Sequence, residues 1–139
     1  MINSEIRSRL EVGHYLLDVV EIEYIRLIAM SSTDKYVRIW DMNDINKPRV
    51  VFSLHMPKGG VHQVKFSSTY HVLLIAGYEN SIPVFSITPE FYDVNVIGRL
   101  VGHVSIITAM ELIEGTPMVI TADDTGCIKT WDIRLCSCF

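Results

Sequence analysis

Three histidines recur along the chain, each ahead of an aromatic residue that closes a β-branched segment. The pairs are His14 with Trp40, His55 with Phe85, and His103 with Trp131. A histidine near a carboxylate can act as a general base or bind a metal ion, and it can equally be a structural hydrogen-bonding group. Because the arrangement recurs, we interpret these histidines as structural and expect no catalytic, metal-binding or cofactor-binding residue.

The cysteines lie towards one end of the chain. Cys127, Cys136 and Cys138 are odd in number and crowded together, which is not typical of a disulfide framework. Cys136 and Cys138 are too few for a zinc site, and their alternate spacing is typical of one face of a strand.

The elements that position the three histidines are predicted to be β-strands. The chain has 15 Val and 17 Ile against 4 Ala, and β-branched side chains favour the pleated sheet. Uninterrupted apolar segments at 27–32, 72–77 and 118–122 predict strands buried on both faces, and turn residues then lead into third strands ending at Trp40, Phe85 and Trp131. Fourth strands are predicted at 49–54 and 94–101, and Pro83 should distort the third strand of its unit.

The aromatic residues are 45 and 46 positions apart, so the chain holds about three repeats. We place the repeat units at 13–48, 49–93 and 94–135, with a further unit starting at 136–139. The predicted fold is all-β, with about three four-stranded antiparallel blades.

The residues carry a family resemblance. Gly102-His103 followed by Trp131-Asp132, and the segment MSSTDKYVRIWD at 30–41, resemble the WD repeats of β-propeller proteins, and the resemblance covers the chain from Gly13 onward. It implies a partial WD-repeat β-propeller. Propellers close with about 4 to 8 blades, so we expect the sequence to be part of a longer propeller whose remainder is one of its partners.

The resemblance also implies a hydrogen-bonded tetrad in each unit. The first would be complete, the second would lack an indole because of Phe85, and the third would have its acid displaced by one position. The implied members are His14, Ser32, Asp34 and Trp40 in the first unit; His55, Glu79 and Phe85 in the second; and His103, Thr121, Asp124 and Trp131 in the third.

Composition and the absence of catalytic motifs disfavour several classes of function. The formal net charge is −4, with no run of like charges, which disfavours nucleic-acid binding, and no apolar stretch approaches the ~20 residues that span a bilayer. The sequence has no GxSxG, GxxxxGK[ST], GxGxxG or HExxH motif, so we expect no enzymatic activity and no cofactor. With neither a signal-peptide pattern near the N-terminus nor a membrane span, we expect a cytoplasmic protein. The WD resemblance implies a scaffold that binds other proteins, with Phe91 and Tyr92 in a docking loop at 88–93. The candidate contact residues are Tyr15, Lys35, Tyr78, Asn80, Phe91, Tyr92 and Arg134.

A second resemblance concerns residues 57–139. The phrases GYENSIPVF and EGTPMVITADDTGCIKTWDIR are similar to segments of WD-repeat proteins of motile cilia and flagella. This implies a structural component of a ciliary or axonemal assembly, with axonemal or microtubule-associated partners. Some such proteins carry EF-hands, but Ile45 and Asn46 stand where a loop starting at Asp41 would need an oxygen ligand and a glycine.

An alternative function follows from residues 131–134. Trp131-Asp132-Ile133-Arg134 matches the WDxR signature of propellers that are substrate receptors of cullin-RING ubiquitin ligases, where the arginine is thought to help dock the adaptor. Co-purification would separate the two functions, with axonemal proteins favouring the scaffold and ligase adaptors favouring the receptor.

Overall fold

The computed structural model describes residues 9, 11, 13–22, 26–56, 58, 60–88, 93–135 and 137–138. Over these ranges the protein is all-β, with three four-stranded antiparallel sheets and no helix long and apolar enough to cross a membrane. The first sheet holds β1 (Leu16–Ile22), β2 (Leu27–Ser32), β3 (Tyr36–Asp41) and β4 (Arg49–His55); the second holds β5 (Val61–Ser67), β6 (Val72–Gly77), β7 (Ser81–Thr88) and β8 (Asp93–Val101); the third holds β9 (Ile107–Leu112), β10 (Met118–Asp123), β11 (Ile128–Asp132) and β12 (Ser137–Cys138).

Each sheet is a meander in which neighbours along the chain are neighbours in space. Strand β1 lies against β5, and β5 lies against β9, so the first strands of the three sheets are brought together. This is the arrangement of part of a β-propeller, and it confirms the predicted fold class.

The sheets are offset from the predicted repeat units. The fourth strand of the first sheet, β4, falls in the unit predicted at 49–93, and β8 falls in the unit predicted at 94–135. Strand β12 pairs with β11, so residues 137–138 complete the third sheet, whereas we expected 136–139 to open a further blade.

Two apolar cores lie between the sheets. The core between the first and second sheets includes Leu27, Val37 and Ile39 opposite Leu73, Ile75 and Phe85. The core between the second and third sheets includes Leu74, Val84 and Leu100 opposite Met110, Val119 and Trp131. Since strand side chains alternate in direction, β6 buries both of its faces, as its uninterrupted apolar sequence predicted.

Pro83 distorts β7 as expected. The pairing of β6 with β7 runs from Val72 opposite Ser86 to Leu74 opposite Val84 and does not reach Pro83, which has no N–H to donate. The register of β7 with β8 also shifts between Val84 and Phe85. The second sheet is therefore opened between its middle strands at the end that carries Glu79.

Candidate functional site

A continuous series of hydrogen bonds joins four side chains on the face of the third sheet that is turned towards the second. The indole Nε1 of Trp131 donates to Thr121 Oγ1 at 2.7 Å, Thr121 Oγ1 lies 2.6 Å from Nε2 of His103, and Nδ1 of His103 lies 2.7 Å from Asp123 Oδ2. An indole N–H can only donate and a carboxylate can only accept, so Nδ1–H of His103 donates to Asp123, and in the neutral imidazole Nε2 then accepts from the Thr121 hydroxyl. We call these four residues the histidine–tryptophan network.

The acid of this network is Asp123, and the prediction of Asp124 was wrong. Asp124 is exposed in the turn, where its backbone N–H donates to the carbonyl of Ile106. Residues two apart on a strand share a face, so Asp123 at the end of β10 points to the same side as Thr121. The alternation of side chains along β10 could have identified Asp123 from the sequence.

Asp123 is held as a carboxylate by several donors. Its Oδ1 accepts hydrogen bonds from the Thr125 hydroxyl and from the backbone N–H groups of Thr125 and Cys127, while Oδ2 faces His103. These hydrogen bonds, with that of Thr125 Oγ1 the largest contribution, hold the pKa of Asp123 well below its usual range. The ionised carboxylate of Asp123 thus links the β10–β11 turn to His103.

The buried aspartate predicts a pH dependence of stability. Because the pKa of Asp123 is lowered in the folded chain, its ionised form stabilises the fold above the ordinary carboxyl range, and this stabilisation is lost as the pH falls below about 4. We expect the urea midpoint of unfolding to decrease between pH 5 and 2, and to decrease less steeply in Asp123→Asn. An equal slope in both proteins would contradict the assigned role of Asp123.

Glycine before the histidine has a packing reason in the third sheet. A Cβ added at Gly102 would lie 3.1 Å from Cη2 of Trp131, which is closer than ordinary van der Waals contact. In the second unit Leu54 occupies the position before His55, and it lines the same cleft as the smaller ring of Phe85. The larger leucine in the second unit and the glycine in the third therefore match the sizes of Phe85 and Trp131, whereas a Cβ at Gly13 of the first unit would meet nothing within 4 Å.

The first unit does not form the complete tetrad that we predicted. The Ser32 hydroxyl hydrogen-bonds Asp34, whose carboxylate also accepts from Arg38, and Nε2 of His14 is 3.5 Å from Asp34 Oδ2 with the histidine side chain 48% exposed. The Arg38 guanidinium is the main cause of the lowered pKa of Asp34. Trp40 is buried, but its Nε1 has no hydrogen-bond partner.

Strand register explains the difference between the two tryptophan sites. Thr121 lies opposite Lys129 in the third sheet, and the equivalent residue of the first sheet, opposite Arg38, is Met30. Methionine sulfur is a weak acceptor, whereas the threonine hydroxyl is a good one. Ser32 lies two residues further on, at the position that Asp123 occupies in the third sheet.

This register predicts a stabilising substitution. Met30→Thr should place a hydroxyl within reach of the unpaired Nε1 of Trp40 and raise the free energy of unfolding by about 1 kcal/mol relative to Met30→Val, which has nearly the same shape without the hydroxyl. Urea unfolding of the two variants measures the difference. Equal stabilities would show that the indole of Trp40 cannot reach residue 30.

The second unit replaces the network by apolar groups. Phe85 lies opposite Leu73, and Ile75 and Gly77 follow on the same face at the positions of Thr121 and Asp123. The ring of His55 lies beside that of Tyr36, with centroids 4.9 Å apart, while Glu79 pairs with Arg99 at 3.0 Å. His55, Glu79 and Phe85 therefore form no tetrad.

The predicted contact residues are spread over the turns. Tyr15, Lys35, Tyr78 and Asn80 are exposed, and Lys35 has a positive φ of 69° in the β2–β3 turn. The guanidinium of Arg134 pairs with the carboxylate of Asp132 and lowers its pKa. Phe91 and Tyr92, predicted as a docking loop, and the Cys136–Cys138 pair lie outside the described residues or side chains.

One group of side chains has metal-ligand chemistry. His103, Asp123 and Cys127 each offer a ligand atom, and these atoms lie within 4.8 Å of one another. Both ring nitrogens of His103, however, already face Asp123 and Thr121. Binding a metal would break the histidine–tryptophan network, so the geometry fits a structural role for His103 better than a ligand role.

The fold and network define a part of a β-propeller built from face-to-face sheets. No family model matches the chain. It is 28% identical over 119 residues, or 86% of its length, to cilia- and flagella-associated protein 337 B of Tetrahymena thermophila, and covers 9% of that relative.

Similarity also extends to two yeast proteins named restriction of telomere capping protein 1. Identity is 25% over 112 residues to the protein of Candida dubliniensis and 24% over 137 residues to that of Candida tropicalis, covering 80% and 94% of this chain. The chain spans about a tenth of the length of these relatives. The ubiquitin-ligase alternative receives no support from these comparisons.

Proposed function

We propose that the chain is a non-enzymatic protein-interaction scaffold, part of a larger WD-repeat β-propeller, and a structural component of a ciliary or axonemal assembly. The observation that carries this proposal is the similarity, over most of the chain, to a cilia- and flagella-associated protein. Its partners would be other proteins of the assembly and the remainder of its own propeller.

The chemistry of the histidine–tryptophan network supports a structural role. His103 is buried, both of its ring nitrogens are hydrogen-bonded, and the Asp123 carboxylate already accepts four hydrogen bonds. A general base needs a free lone pair that a substrate can reach. This network instead rigidifies the third sheet and the β8–β9 connection that carries His103, and a platform for protein contacts requires such rigidity.

The two ends of the stack support the presence of further sheets. The first sheet carries exposed Val19 on the face of Trp40, and the third carries exposed Ile120 and Ile128 on the face away from the second sheet. Apolar sheet faces of this kind are ordinarily covered. In the proposed propeller, neighbouring blades cover them.

Localisation tests the proposed function. The gene is tagged at its own locus in ciliated cells, and demembranated axonemes are separated from the detergent-soluble fraction. We expect the tagged protein in the axoneme fraction, where structural components remain. Recovery only in the soluble fraction would contradict an axonemal role.

The proposed continuation of the propeller has a separate test. Light scattering on the isolated 139-residue chain should show self-association, because two apolar sheet faces remain in water. A chain that stays monomeric at every concentration would contradict the proposal that neighbouring blades are needed.

A further inference from the structure

The interface between the first and second sheets contains a cleft. The cleft is at the position equivalent to that of the histidine–tryptophan network in the interface between the second and third sheets. The cleft has a volume of about 380 Å³. Its walls are mainly apolar and include Leu54, Met56, Pro83, Phe85 and Val96. Since Phe85 is smaller than tryptophan and Pro83 ends the β6–β7 pairing nearby, the space that Trp131 fills in the third sheet is left open here.

Charged groups surround the mouth of this cleft. Glu79 is largely buried and is paired with Arg99, which also hydrogen-bonds the Ser81 hydroxyl at 3.1 Å. The Glu79 charge is thereby matched within the protein. Lys58, on the rim and exposed, adds a further positive charge to the mouth.

A second depression of about 340 Å³ continues from the same rim. It shares Lys58 and Glu79 with the cleft and extends past Tyr78 and Asn80 to Val104. Tyr78 is 59% exposed and Val104 is 84% exposed, which leaves apolar surface in water on the far side of Lys58. We call the cleft and this depression together the Lys58 groove.

We propose that the Lys58 groove binds an extended acidic peptide segment of a partner protein, with one large apolar side chain in the cleft and a carboxylate beside Lys58. The apolar walls match an aliphatic or aromatic side chain, and the charge at the rim matches an acidic neighbour. The groove continues beyond the cleft, so it suits a chain segment better than a compact molecule. This inference rests on the proposed scaffold function and adds the chemistry of a partner to it.

The test uses ¹⁵N-labelled protein and short synthetic peptides. Acetyl-Gly-Asp-Leu-Asp-Gly-amide is titrated while amide chemical shifts are recorded, alongside matched peptides in which leucine is replaced by serine or both aspartates by lysine. We expect shifts concentrated at Lys58, Tyr78, Glu79 and Val96 with the first peptide, and much smaller shifts with the other two.

Two charge-reversal variants provide the protein control. Lys58→Glu should weaken binding of the acidic peptide by about fivefold, since an exposed attraction becomes a repulsion. Lys47→Glu changes the formal charge equally, but Lys47 lies in the β3–β4 connection, beside the pair Asp41–Arg49. His55, which lines the cleft, is at the opposite end of the β3–β4 ladder. Lys47→Glu should therefore leave binding unchanged.

Several results would overturn the inference. These are the absence of shifts in the groove, equal shifts with the lysine or serine peptide, equal effects of the two variants, or a Lys58 shift reproduced in full by inorganic phosphate. Axonemal recovery of a protein whose groove binds no peptide would contradict this inference alone. Peptide binding by a protein found only in the soluble fraction would contradict the ciliary function alone.

Discussion

Thr121→Val should lower the free energy of unfolding by about 2–4 kcal/mol. Valine preserves the shape of threonine but removes the oxygen that links Trp131 Nε1 to His103 Nε2. Two buried polar atoms then lose their partner, and each such loss costs about 1–3 kcal/mol. Urea unfolding followed by tryptophan fluorescence measures the change.

Thr130→Val is the matched control for that substitution. Thr130 lies on β11 next to Trp131, but its side chain is on the opposite face, since it pairs with the exposed Ile120. We expect its effect to be within about 0.5 kcal/mol of zero. Similar losses at residues 121 and 130 would show that the network does not stabilise the third sheet as described.

Gly77→Ala should destabilise the second sheet by about 3 kcal/mol. A Cβ at this position would lie 2.7 Å from the carbonyl oxygen of Gly60, and backbone atoms cannot move away as a flexible side chain can. The clash would separate β5 from β6, where the Tyr78 N–H donates to that same carbonyl. Thermal unfolding of the variant measures the loss.

Gly60→Ala provides the comparison on the facing segment. Its added Cβ would lie 3.5 Å from Cε2 of Tyr78, which is ordinary van der Waals contact, so the variant should unfold near the midpoint of the unchanged protein. If both alanine variants were equally stable, the close approach of Gly77 to Gly60 would be incorrect. The same approach explains why the second unit has no acid where the third has Asp123.

Much of the fold could be predicted from local patterns. The apolar segments at 27–32, 72–77 and 118–122 each form the second strand of a sheet, as predicted. Of these three strands only β6 buries both faces, whereas Ile120 of β10 is exposed, so the prediction of burial on both faces was correct for the second sheet alone. The repeat of 45 to 46 residues likewise appears in contacts between sheets: His62 Nε2 hydrogen-bonds the Ile107 carbonyl, and Asp18 accepts from the Val64 N–H. Asp18 was not identified beforehand, since nothing local distinguishes it from other strand carboxylates.

The tetrads were harder to predict because they depend on register. Choosing Ser32 and Asp34 from their types and order placed the polar groups two residues too far along, towards the turn, and Met30 was overlooked. Choosing Asp124 ignored the alternation that places Asp123 beside Thr121. The indole of each tryptophan can reach the residue opposite Lys129 or Arg38, which is Thr121 in the third sheet and Met30 in the first. Composition does not reveal this strand pairing.

Exchange of the two indole protons tests most directly the central claim, that the histidine–tryptophan network holds the β8–β9 connection against the third sheet while the indole N–H of the first sheet is unpaired. The protein has only two tryptophans, so Trp40→Phe and Trp131→Phe assign both indole N–H signals. After transfer to D₂O, the Trp131 signal should persist as long as the most protected strand amides, and the Trp40 signal should disappear earlier. Equal exchange of the two indoles, or faster loss at Trp131, would contradict the claim.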